Sequence, residues 1–97
     1  MTVTTKQITD TAMQRHMLAV GVQPTGVRGM RKVYNAVLSL SDEAGGCSAT
    51  QEEIAARAHR SLRSVVRILA RLKEIGLLER DAPKWRANEP KRGMTDE

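Results

Sequence analysis

The stretch TQEEIAARAHRSLRSVVRILARLKEIGLL, from Thr50 to Leu78, leaves few ways to satisfy its own side chains. Thr50 suits a helix N-cap, and Glu52 and Glu53 fall in the first turn that follows, where the helix dipole favours negative charge. Ile54, Ala55 and Ala58 lie on one side of this short helix. His59 and Arg60 form a break, Ser61 caps a second and longer helix, and Gly76 ends it by tolerating a left-handed conformation. Leu62, Val65, Leu69 and Leu72 recur at three- and four-residue steps, the period of a core-facing helix surface. Arg63, Arg67 and Arg71 share that period but fall on the opposite face. A helix apolar inside and cationic outside, propped by a short helix, meets the physical requirement for entering a DNA major groove.

Charge points the same way. The chain of 97 residues has a formal net charge of +5, which favours a polyanionic partner such as nucleic acid or a membrane surface. Its clustering says more than its sum. From Arg57 to Lys73 the basic residues are Arg57, Arg60, Arg63, Arg67, Arg71 and Lys73, with no Asp or Glu among them. A face that only keeps a protein soluble usually mixes the two signs.

Other chemistries lack their residues. The single cysteine, Cys47, excludes an internal disulfide framework and a multi-cysteine zinc site. His16 and His59 read as partly buried or turn residues, so neither a metal nor another cofactor is expected. No phosphate-cradling glycine loop, nucleophile with a base or metalloprotease helix is present, so an enzyme is not expected. No apolar run is long enough to span a bilayer, and the opening MTVTTKQITD lacks the apolar core of a signal peptide. The expected location is the cytosol, on or near the nucleoid.

Upstream, residues before Ile8 look frayed. Thr9 or Asp10 caps a helix running to about Val20, with Gly21 as its stop. Met13, Met17 and Val20 share one side of this helix and have no evident partner within the domain, which marks them as a dimerisation face. GVQPTG breaks the chain. A helix from about Val27 to Leu40 follows, with Met30, Val33, Tyr34, Val37 and Leu40 as its core face and Arg28, Arg31 and Lys32 pointing away. SDEAGG reads as a loop, and Gly46, Cys47 and Ser48 as a very short strand. Beyond Gly76, LLER, a DAPK turn and WRA read as a hairpin, with Trp85 packing it onto the core. The tail NEPKRGMTDE has no apolar pattern and reads as disordered.

The run IAARAHRSLRSVVRILARLKEIGLLER resembles the winged helix-turn-helix domains of small bacterial repressors. It is most similar to the variant in phage and plasmid replication proteins and their regulators. In that variant an alanine follows the first apolar residue of the first helix of the pair, as Ala55 follows Ile54 here. A serine opens the recognition helix, as Ser61 does, and a valine sits four residues later, as Val65 does. The helix closes on a leucine-rich run into a glycine and two apolar residues, as Leu72 to Leu78 do, and the AGGC loop also fits. The resemblance covers about residues 30 to 86. Two positions depart from it: His59 stands where the family usually has glycine, and Arg60 where it usually has an apolar residue.

The resemblance implies a mainly α fold with a small β-hairpin wing: an N-terminal helix over 1–24, a winged helix-turn-helix over 25–87 and a tail over 88–97. It also implies that helix 61–75 enters the major groove of double-stranded DNA. Ser61, Leu62, Arg63, Ser64 and Arg67 would then face the bases, with the two guanidinium groups paired to guanine edges. Arg28, Arg31, Arg60 and Arg71 would reach phosphates, Thr50 and Gln51 would present backbone N–H groups to one, and Arg80, Lys84 and Arg86 would carry the wing to the neighbouring strand. Arg71, far from the helix start, also reads as a solvated helix residue, and Lys32 and Lys73 as surface charges. The expected function is that of a dimeric, sequence-specific transcriptional regulator. A replication or partition accessory of a mobile element shares the same chemistry, and a winged-helix module for a protein partner is the alternative of a different class.

Overall fold

The computed structural model describes residues 7–42, 45–81 and 84–88, which form four helices and a three-stranded antiparallel sheet. The helices are α1 (Asp10–Ala19), α2 (Val27–Ser39), α3 (Gln51–Ala58) and α4 (Leu62–Glu74), and the strands are β1 (Gly46–Cys47), β2 (Leu78–Asp81) and β3 (Lys84–Ala87). The mainly helical class with a β wing is as expected. Of the start expected to be frayed, residues 1–6 lie outside the described residues, as do the tip of the hairpin turn and the tail from residue 89 onward. Asn88, placed in that tail by composition, belongs to the fold. Its N–H donates to the Leu77 carbonyl at 2.8 Å, its carbonyl accepts from the Tyr34 hydroxyl at 2.6 Å, and its amide donates to the Gly76 carbonyl at 2.9 Å.

Local chemistry sets the element ends. Thr9 caps α1, its side chain accepting from the Ala12 N–H. Thr50 and Glu53 close a reciprocal capping box on α3, and the Ser61 side chain accepts from the Ser64 N–H at the start of α4. At the end of α4, Gly76 takes φ +83° and the Leu77 N–H returns to the Leu72 carbonyl at 2.9 Å, which turns the chain into β2. His59 ends α3 in the left-handed region at φ 57°. It is the only non-glycine residue with positive φ among those described. Its side chain costs on the order of 1 kcal/mol there, which glycine would not. His59→Gly is therefore expected to raise the melting temperature by several degrees in a thermal scan, about 4–8 °C for each 1 kcal/mol in a domain of this size.

One core joins all the elements. α2 is its hub, packing against α1, α3, α4 and β3. Met30, Val33, Tyr34 and Val37 of α2 meet Ile54 of α3 and Val65, Leu69 and Leu72 of α4, all essentially inaccessible to solvent. Each such side chain contributes on the order of 1.5–3 kcal/mol by leaving water. The sheet order is β1-β3-β2, so the central strand is the last one in sequence. Trp85, opposite Arg80 and Cys47 in the register, is buried and seats the sheet on the helices. β1 stops at Cys47 and does not take in Ser48, and Leu40 is half-buried at the edge of the core.

α1 corrects an expectation. Met13 and Met17 are completely buried in the protein's own core, and Val20 packs against it. The stripe that lacked an evident partner in the sequence has one in the fold, so Met13 and Met17 present no free surface for a second copy. His16, also buried, fixes the helix further by donating from Nε2 to the Ile75 carbonyl at the end of α4.

Cys47 is a free, fully buried thiol. Burial pushes its pKa above the ordinary value; an Ala49 backbone hydrogen bond opposes this, and the charges of Glu53 and Asp42 add to it. The folded thiol thus holds its proton more tightly than the unfolded one. The resulting stability is intact below the ordinary thiol range and is lost as pH rises through it. Alkylation by iodoacetamide at pH 8 is expected to be slow in the native protein and fast in denaturant, since the thiolate is the nucleophile. Equal rates in both conditions would show that the thiol is not shielded.

Candidate nucleic-acid interface

α4 presents its two faces as the charge pattern requires, but the buried one starts later than the leucine spacing places it. Val65, Leu69, Leu72 and the capping Ile75 are buried, and Ile68 is half-buried. Leu62, expected among them, is 42% exposed, and Val66, one turn on, is 44% exposed. At about 100° per residue, Leu62 stands about 60° round the helix from Val65, on the side away from Ile68 and Ile75. Leu69, only about 20° round from Leu62, is buried, so Leu62 is exposed because it is the first residue of α4, at the end of the packed stripe. The outer face of α4 therefore carries an apolar pair, Leu62 and Val66, beside the exposed guanidinium groups of Arg63 and Arg67. Val66 was not singled out from sequence. Its four-residue spacing from Leu62 is the signal that could have found it.

The candidate contacts divide into groups. Ser61 is committed to capping: its oxygen accepts from the Ser64 N–H at 3.2 Å, and its hydroxyl donates to Ser64 Oγ at 3.0 Å. Arg60, Ser64, Arg67 and Arg71 line a cleft of about 520 Å³ whose other wall is Gly26, Val27, Arg28 and Gly29 at the start of α2. Arg71 is tied down there, donating to the Thr25 carbonyl and to Thr25 Oγ1, each at 3.3 Å. It is not the freely solvated residue that its distance from the helix start suggested. Arg67 belongs both to the exposed face and to this cleft, whereas Arg63 lies outside it.

Arg31 goes elsewhere. It pairs with Asp10 of α1 and lines a separate groove with Lys32, Arg57 and His59, in which Arg57 Nε donates to Ser39 Oγ at 3.1 Å. Arg28 and Arg31, grouped together from sequence, thus serve different surfaces.

Thr50 requires a second correction. Its N–H, expected to meet a phosphate, donates instead to Glu53 Oε1 at 2.8 Å, while its hydroxyl accepts from the Glu53 N–H at 3.1 Å. The carboxylate already occupies the place an anion would take, and Glu52 adds a second negative charge in the same turn. Gln51 is exposed beside them. The start of α3 is therefore a poor phosphate site.

On the wing, the Arg80 guanidinium lies over the Trp85 ring at 4.7 Å from its centroid. Lys84 Nζ pairs with Asp42 Oδ2 at 3.0 Å, both half-exposed, an arrangement worth at most about 1 kcal/mol and easily exchanged for another anion. Arg86 is exposed and stands opposite Glu79 in the strand register. Both aromatic residues of the chain, Tyr34 and Trp85, are buried, so neither offers a platform on which a single-stranded base could stack. Among the described residues, no helix is long and apolar enough to cross a membrane, and no group of three or more His, Cys, Asp or Glu is placed to hold a metal ion.

Comparison of the chain with protein-family models, with curated proteins and with solved structures finds no match. Function is therefore argued from the site's own chemistry.

Proposed function

We propose that the protein binds double-stranded DNA in a sequence-dependent way, as a winged helix-turn-helix domain that lays α4 in the major groove. The observation that carries this is the outer face of α4, where Arg63 and Arg67 flank the exposed pair Leu62 and Val66 and no acidic residue intervenes before Glu74. Guanidinium forks match the O6 and N7 acceptors of guanine, and small apolar side chains match the thymine methyl. α3 props α4 from behind, and Arg80 and Arg86 place positive charge on the hairpin that follows.

Regulation of transcription from a promoter site is the role such an interface supports best, and binding at the replication origin of a mobile element would use the same contacts. Two copies on a two-fold symmetric site belong to the proposal, with a pairing surface other than Met13 and Met17. A protein partner in place of DNA draws on the same exposed Leu62 and Val66.

Selection from a randomised duplex pool, followed by binding of the enriched duplex across a salt series, tests this. An enriched motif, with log K falling linearly against log salt, is the expected result. Failure to enrich any motif, or affinity indifferent to salt, would remove the proposal and favour the protein partner.

A further inference from the structure

Three of the four described helices begin on an oxygen of the chain's own: Thr9 for α1, Thr50 for α3 and Ser61 for α4. α2 does not. Its N-cap is Gly26, in the left-handed region at φ 64°, with no side-chain cap and no acidic residue in the first turn. The first N–H groups of a helix have no partner within it and carry a partial positive charge. Here the residues of that first turn, Gly26 to Gly29, line a cleft together with Arg60, Arg67 and Arg71, and no Asp or Glu contributes to its walls.

The arginines press close to that positive end. A Cβ placed on Gly26 would stand 3.2 Å from Arg71 Nη1, and one placed on Gly29 would stand 3.7 Å from both Cζ and Nη2 of Arg60. Glycine within a helix forfeits up to about 1 kcal/mol against alanine. At position 29 the tight neighbour of such a Cβ is Ile68 Cδ1 at 3.3 Å, and the Arg60 guanidinium lies beside the same stretch of backbone at ordinary contact distance. Arg60 Nε, moreover, is buried with no hydrogen-bond partner, alone in this among the described side-chain nitrogens and oxygens. A guanidinium with one desolvated donor, beside like charges and a helix N-terminus, leaves a net positive charge that favours an anion at its side.

We propose that this cleft holds one phosphate group, with the half-buried Arg60 as its anchor and the first turn of α2 as its cradle. A tetrahedral phosphate accepts from the guanidinium forks and from backbone N–H groups at once, where a planar carboxylate has only two oxygens to share. The group is a backbone phosphate of the duplex if the proposed DNA binding holds, and that is the sense in which this inference rests on it. A free phosphate ester offers the same chemistry.

The test uses the full chain with inorganic phosphate and, separately, with the enriched duplex. Phosphate titrated at constant ionic strength against chloride should shift the backbone amide resonances of Val27, Arg28 and Gly29 saturably. Arg60→Met, which keeps an unbranched apolar stem, should weaken that response by about tenfold. Arg71→Met should weaken it too, since Arg71 lines the same cleft, and a thermal melt checks that both variants fold. On the duplex, Arg60→Met should lower the salt slope by about one while leaving preference for the enriched sequence intact. Arg63→Ala should do the reverse.

Saturable phosphate shifts without any duplex binding would assign the cleft to a free phosphate ester and sink only the DNA proposal. Duplex binding with unshifted α2 amides and an unchanged slope in Arg60→Met would overturn this inference and leave the DNA proposal standing. Equal phosphate responses in the wild type and Arg60→Met would also overturn it.

Discussion

Replacing Arg63 and Arg67 together by alanine is expected to erase the preference for an enriched duplex over a random one, while the protein stays folded. A good bidentate arginine–guanine pair is worth about 1–3 kcal/mol of discrimination, so losing two amounts to on the order of a hundredfold or more. Both side chains are exposed, and alanine is the best helix former, so α4 should not weaken. The variant's melting temperature should stay close to that of the wild type. Residual affinity should be salt-dependent and blind to sequence, carried by the remaining arginines and the wing. A double variant that still prefers the enriched duplex would mean that α4 does not read the bases. Leu62→Ala and Val66→Ala would then be uninformative about thymine contacts as well.

Met17→Ala is expected to have the largest effect on stability. Met17 is wholly buried in the core that joins α1 to the rest of the protein. Truncating a buried methionine costs about 2–5 kcal/mol, from lost transfer energy and from the cavity left behind. Against a total of about 5–15 kcal/mol for a domain, that is a substantial fraction. Denaturant melts should show the midpoint falling with an unchanged slope. Sedimentation at a fixed temperature below both transitions should show no change of association state. The opposite pattern, a monomer of wild-type stability and a weakened self-association, would restore the methionine stripe as a dimer face and contradict its burial.

Much of the fold was legible because it follows from short-range rules. Thr9, Thr50 and Ser61 cap because a short side-chain oxygen reaches an N–H two or three residues on. Gly76 ends α4 because the turn into β2 needs φ of +83°. Inward-facing Ile54, Ala55, Ala58, Val65, Leu69 and Leu72 follow from helical spacing alone. The left-handed turn at His59 was implied by the resemblance, since the family usually has glycine at that position.

Leu62 was counted in the core stripe and Val66 passed over because period shows that a helix has an apolar side but not how much of it the neighbouring elements cover. Met13 and Met17 looked unpartnered because their partners are far away in the chain. Thr50 offers no free N–H because the capping box, visible as Thr50 and Glu53 three apart, engages that donor.

The amino-acid order by itself determined which segments are helices, where they start and stop, and that one face of α4 is cationic. These depend on hydrogen bonds within a turn or two and on side-chain period. Only the tertiary structure decided what each charge meets. Arg31 is drawn to Asp10, Lys84 to Asp42 and Arg71 to Thr25, while Arg60 is left against Gly29 with a buried, unpartnered Nε. A guanidinium is recognised by whatever acceptor the fold brings within about 3 Å, and that distance is set by packing between elements rather than by spacing along the chain.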